Sequence, residues 1–165
     1  MIVLVLGGTR SGKSAVAERI AATRANPVTY VATASAAAID DADFAARIAA
    51  HRSRRPQAWR TVEVNDALPE RLLAITGTVL LDSIGTWVAG TRTLTPDIDA
   101  LCRALHARDG DTVLVSEEVG LSIHAPTDVG RQFVDAIGTC NRRIADIADR
   151  VLLVIAGRAL ELPAP

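Results

Sequence analysis

Apolar residues recur along this chain in two rhythms. Short apolar runs at 2–6, 28–32, 79–81, 113–115 and 151–155 have the length and β-branched character of strands buried on both faces. A sixth strand is available at 61–64. Between the runs, segments 14–24, 40–54, 66–74, 96–107 and 127–150 carry apolar residues at three- and four-residue steps, the spacing of one helix face. The last is the clearest, with Val129, Phe133, Ile137, Cys140, Ile144 and Ile147 in register. Strands separated by helix-length segments predict βαβ units, hence an α/β fold with a mostly parallel central sheet flanked by helices.

Composition narrows this picture without changing it. Half of the residues are apolar but only 3% are aromatic, so the core must be built from aliphatic side chains, as in parallel sheets. The 165 residues suit a single domain spanning 1–165, able to bury a core without disulfides or metals. Internal repeats, low-complexity tracts and linkers are not visible, although 34–38 is a run of small residues and the tail 163–165 is expected to fray. With 18 basic and 19 acidic residues interspersed, no general field draws in nucleic acid or an anionic membrane. Cys102 and Cys140 form no CxxC pair and read as small buried residues of a reducing compartment, not as metal ligands. The apolar start is too short for a signal peptide or a membrane span, so a cytoplasmic protein is expected.

The chemistry begins where the first strand ends. Gly7, Gly8, Thr9, Arg10, Ser11, Gly12, Lys13 and Ser14 match G-x-x-x-x-G-K-[ST], placed after a predicted strand and at the start of a predicted helix, which is the context the motif requires. Glycines let backbone N–H groups turn toward phosphate oxygens, and the helix N-terminus adds positive potential. Lys13 can reach the β and γ phosphates and Ser14 can ligate Mg²⁺. Lys13 is also the only lysine in the chain, every other basic side chain being arginine. That excludes the [NT]-K-x-D guanine-reading motif of switch GTPases. Asp82 closes the run 79–81, where a P-loop protein places a Mg²⁺ carboxylate; the competing reading is a strand-end turn residue.

A second constellation lies in 40–54. There Phe44, Ile48 and His51 share a helix face, and Arg47, Arg52, Arg54 and Arg55 crowd the histidine in sequence. This is either a solvated basic helix end or a site for an anion. In the second case the positive field would keep the imidazole neutral, and a neutral imidazole could attack phosphorus while the arginines and Lys13 stabilise the departing pyrophosphate.

Several stretches together resemble one family. Residues 45–63, with Arg47-Ile48, His51, Arg55-Pro56, Trp59, Thr61 and Glu63, are similar to the R-I-x-x-H…R-P-x-x-W-x-T-x-E block of the bifunctional adenosylcobinamide kinase / adenosylcobinamide-phosphate guanylyltransferases. The loop 7–14 resembles that family's G-G-x-R-S-G-K-S, 28–34 its Y-[IV]-A-T, 115–120 its V-[ST]-N-E-V-G, and 131–141 its R-x-F-x-D-x-x-G-x-x-N. The resemblance implies a RecA-like P-loop fold and two reactions with ATP or GTP and Mg²⁺. These are phosphorylation of adenosylcobinamide, then GMP transfer from GTP to adenosylcobinamide phosphate. It places His51 at the guanylylated histidine and Thr33, Ala34, Ser35, Arg52, Ser53, Arg54, Arg55, Glu63 and Asp82 at nucleotide contacts. It also implies a homotrimer with nucleotide near subunit boundaries.

The chain departs from the pattern in places. Glu117 stands where the family commonly has Asn, Asp82 where some members have Glu, and Ile123-His124-Ala125-Pro126 where I-V-P is typical. The connection between Trp87 and Leu101 is shorter than in some members. A small-metabolite P-loop kinase without covalent chemistry and a non-enzymatic nucleotide-responsive protein are the competing readings, and His51 separates them from the first.

Overall fold

Side chains alternate faces along a strand, so each apolar run supplies two cores at once. The computed structural model describes residues 1–25, 27–33, 55–64, 67–121 and 125–164. Among them, strands β1 (Ile2–Gly7), β2 (Val28–Ala32), β3 (Arg60–Glu63), β4 (Thr78–Asp82), β5 (Thr112–Glu117), β6 (Arg150–Ile155) and β7 (Arg158–Leu162) form one sheet in the order β3-β2-β4-β5-β1-β6-β7. The pairings are parallel from β3 through β6, and β7 runs antiparallel to β6.

The described helices are α1 (Lys13–Ala22), α2 (Leu68–Leu73), α3 (Ile84–Gly90), α4 (Ile98–Ala107) and α5 (Asp128–Ala145). On one face of the sheet Val3, Val5, Tyr30, Leu80, Val113 and Val115 pack with Val16, Ala17 and Ala21 of α1. On the other, Leu4, Val31, Leu81 and Leu114 meet side chains of the remaining helices, among them Leu72, Ile84, Leu101, Ile137 and Ile144. The expected aliphatic core is the one found, and the two-residue repeat sends Tyr30, Asp82 and Glu117 to the α1 face.

The structure departs from the sequence pattern in four places. The helix expected to run to 150 stops at Ala145, and Arg150 already belongs to β6. Val129, expected on the buried stripe, is 66% exposed, because it lies in the first turn before α5 reaches the core at Phe133. Helix α3 was not expected: seven residues containing Gly85 and Gly90 show little periodicity, yet a capping box between Ser83 and Thr86 starts it. Strand β7 was also not expected, because its mostly exposed R-A-L-E-L sequence has no continuous apolar run. A two-residue turn with positive φ at Ala156 and Gly157 folds it back onto β6. The helix expected at 40–54 lies outside the described residues.

The N-terminal ends of β4 and β5 are held together by one side chain. Arg108, buried, donates from Nη1 to Gly110 O, Asp111 O and Thr112 Oγ1 at 2.7–3.0 Å and from Nη2 to Ile75 O and Gly77 O at 3.2 and 2.7 Å. Five acceptors answer one guanidinium, which ties the turns before β4 and β5 together.

Candidate functional site

The candidate side chains collect at the opposite edge, at the C-terminal ends of the strands, where open parallel sheets bind ligands. Strand β1 ends at Gly7, the chain turns through 8–11, and α1 starts at Lys13 with Gly12 as its N-cap. Gly12 has φ +91°, a left-handed conformation that suits glycine, and a Cβ there would come 3.1 Å from Gly157 Cα. Gly157 N–H donates to Ser11 O at 2.7 Å, so the unforeseen β6–β7 turn braces the loop.

The loop has the features of an anion site. The α1 N-terminus has no side-chain cap and no acidic residue in its first turn. Ser11 Oγ is buried with no hydrogen-bond partner among the described residues. Lys13 folds back over the loop, donating to Gly8 O at 3.3 Å, and its ammonium lies 3.8 Å from Glu117 Oε1. Uncapped N–H groups, a hydroxyl without a partner among the described residues and an ammonium, all on one loop, are the donors that phosphate oxygens take. The residues present therefore fit a nucleotide triphosphate. Ser14, in the first turn, and Asp82, at the end of β4, offer the hydroxyl and carboxylate oxygens that suit Mg²⁺. Among the described residues no group of three His, Cys, Asp or Glu is placed to hold a metal ion.

Three residues, Tyr30, Ser83 and Gly85, organise the two carboxylates beside the loop. Tyr30 O–H donates to Asp82 Oδ2 at 2.8 Å, and the Arg55 guanidinium stacks over the Tyr30 ring at 3.3 Å from its centroid. Burial and the adjacent Asp82 carboxylate push the Tyr30 phenol well above its ordinary pKa, so it stays a donor. Ser83 Oγ donates to Glu117 at 3.0 Å from Oε1 and 3.2 Å from Oε2, and Gly85 N–H donates to Oε2 at 2.9 Å. Burial raises the Glu117 pKa, while Lys13 and the Ser83 hydrogen bond oppose the rise.

The candidate residues divide into three groups. The loop, Lys13, Ser14 and Asp82 occupy one edge, and Thr33 joins them through Oγ1, which donates to Ser83 O at 2.6 Å and accepts from Ser83 N–H at 3.0 Å. Glu63 lies on the same edge but on β3, four strand spacings from β1, roughly 19 Å away at about 4.8 Å per strand. Ala34, Ser35, His51, Arg52, Ser53 and Arg54 lie outside the described residues; of the arginines following His51, Arg55 is described. Sequence reasoning passed over Tyr30, Ser83 and Gly85 as site residues. Tyr30 carried a signal, being the only tyrosine, set in an aliphatic strand.

The comparisons agree with this geometry. The model of the cobinamide kinase / cobinamide phosphate guanyltransferase family matches residues 3–162. The chain is 39% identical over 168 residues to the bifunctional adenosylcobalamin biosynthesis protein CobP of Pseudomonas aeruginosa, covering 96% of this chain and 95% of the relative. It is 35% identical to the bifunctional adenosylcobalamin biosynthesis protein CobU of Salmonella typhimurium, covering 98% and 99%. Among solved structures, a KaiC-like protein of Pyrococcus horikoshii superposes with a TM-score of 0.53 at 18% identity, over 92% of this chain and 69% of that one. An ATPase of a bacterial type III secretion system superposes with a TM-score of 0.54 at 11% identity, over 97% and 56%. These structural likenesses establish the fold alone, a RecA-like P-loop architecture.

Proposed function

The chain belongs to the cobinamide kinase / cobinamide phosphate guanyltransferase family, an enzyme family of cobalamin biosynthesis, and we propose that its single domain performs both reactions at the loop 7–14. In the first, the γ-phosphoryl group of ATP or GTP passes to the adenosylcobinamide hydroxyl. In the second, His51 attacks the α-phosphorus of GTP, pyrophosphate leaves, and the adenosylcobinamide phosphate then displaces the histidine to give adenosylcobinamide-GDP. The observation that carries this reading is the phosphate loop itself, with its uncapped helix end, buried Ser11 Oγ and inward-folded Lys13, in a chain matching the family from residue 3 to 162.

Each part has a physical task. Lys13 and the α1 N-terminus stabilise charge that develops on the phosphates during either transfer. Ser14 and Asp82 would hold Mg²⁺, which when bound neutralises phosphate charge. Thr33, Ala34, Ser35, Arg52, Ser53, Arg54, Arg55 and Glu63 would contact the nucleotide. The reading also takes the enzyme to be a homotrimer with nucleotide near subunit boundaries. Among the described residues no helix is long and apolar enough to cross a membrane, and we place the enzyme in the cytoplasm, acting on small molecules and not on nucleic acid.

The test is covalent labelling. Incubation with GTP labelled at the α-phosphate should give an acid-labile, base-stable protein adduct that is lost in His51→Ala. A folded, nucleotide-binding sample that takes up no label would refute the histidine intermediate and leave a kinase without covalent chemistry.

A further inference from the structure

The two transfers ask different things of their acceptors. Adenosylcobinamide offers a hydroxyl, whose proton must leave as its oxygen attacks the γ-phosphorus. Its phosphate offers an anionic oxygen with no proton to lose. Only the first reaction has a proton for a base to take, and a base serves it best near the point where Lys13 meets the γ-phosphate.

Glu117 stands there. Parallel pairing sets it level with Gly7, and the next residue, Glu118, donates its N–H to Gly7 O at 3.1 Å. From the other side of the sheet Asn141 Nδ2 donates to Glu117 O at 3.0 Å, fixing the end of β5. The carboxylate is oriented by Ser83 and by the Gly85 N–H, and a Cβ at Gly85 would overlap Glu117 Oε2. That leaves Oε1 as the oxygen turned toward Lys13, 3.8 Å away, on a side chain still 26% exposed and so within reach of an acceptor. A carboxylate has about four lone-pair positions, so Oε1 keeps acceptor capacity beside its bond from Ser83. Its raised pKa makes it more basic than an ordinary glutamate.

We propose that Glu117 is the general base of the kinase reaction. Oε1 accepts the proton of the adenosylcobinamide hydroxyl as that oxygen bonds to the γ-phosphorus. The bond from the γ-phosphorus to its bridging oxygen breaks, the nucleoside diphosphate leaves with the electron pair, and Glu117 later releases the proton to solvent. The inference rests on the functional reading above. An amide cannot take a proton, so this role belongs to the carboxylate this chain carries where the family it resembles commonly has Asn.

Glu117→Gln removes the base while keeping the side chain's size. In this variant kcat for adenosylcobinamide phosphorylation should fall roughly 10²- to 10⁴-fold, with KM for ATP changed by less than about threefold. GMP transfer from GTP to supplied adenosylcobinamide phosphate should run at the wild-type rate, which also reports an intact loop. Gly85→Ala, which displaces the carboxylate, should produce the same split. Phosphorylation by Glu117→Gln at the wild-type rate overturns the proposal, as does an equal loss of both reactions, which would make Glu117 a support of the loop. A wild-type enzyme that never phosphorylates adenosylcobinamide overturns the kinase half of the functional reading and this inference with it. Undiminished activity in the variant overturns the inference alone.

Discussion

The two edges of the sheet treat their cations in opposite ways. At the N-terminal edge Arg108 is surrounded by acceptors, four backbone carbonyls and a threonine hydroxyl, and among the described residues its Nε has no hydrogen-bond partner. At the C-terminal edge, among the described residues, Lys13 has one long hydrogen bond and one ion pair at 3.8 Å, beside a serine hydroxyl with no partner and an uncapped helix end. Polar groups answered within the chain hold the fold together. Polar groups that converge and are left unanswered among the described residues suit a ligand, and the contrast distinguishes structural charge from candidate functional charge on one sheet.

Three substitutions probe that contrast. Lys13→Ala should lower kcat/KM of both transfers by about 10²- to 10³-fold, measured by steady-state product formation. Its thermal midpoint should hardly move, because so loose an ion pair contributes little to stability. Arg108→Met should do the reverse: loss of about 3 kcal/mol or more of stability in urea unfolding, since several buried acceptors lose their donor at once. Nucleotide affinity of the folded fraction should be unchanged. A stable Arg108→Met variant with weakened nucleotide binding would break the comparison. Tyr30→Phe sharpens it at the smallest scale, removing the O–H bond to Asp82 while leaving the ring under Arg55. A cost of about 1.5 kcal/mol corresponds to a roughly tenfold rise in the Mg²⁺ concentration needed for half-maximal nucleotide binding, read by titration calorimetry. An unchanged Mg²⁺ requirement would show that Tyr30 does not hold Asp82 for the metal.

The site was legible to different depths. The loop 7–14 could be read outright, because a strand, a glycine-rich turn and a helix that follow one another in sequence also lie together in space. Asp82 was legible as a strand-end carboxylate, and the structure adds the tyrosine that orients it. Glu117 was visible only as a departure from a family pattern. Its partners Ser83 and Gly85 are 34 and 32 residues away in sequence, and no local rhythm pairs them with β5. Strand β7 was hidden for another reason: an exposed edge strand has no apolar run to announce it, although its turn supports the loop through Gly157.

By itself the sequence determined what depends on neighbours along the chain: the α/β class, most of the strands and helices, the aliphatic core and the phosphate loop. Hydrophobic periodicity and loop chemistry are local, so they survive being read one segment at a time. Only the tertiary structure decided which carboxylate faces Lys13, which phenol holds Asp82 and how far Glu63 stands from the loop 7–14. Those relations follow from strand order and register, which arise when the faces of distant segments compete to be buried against one another.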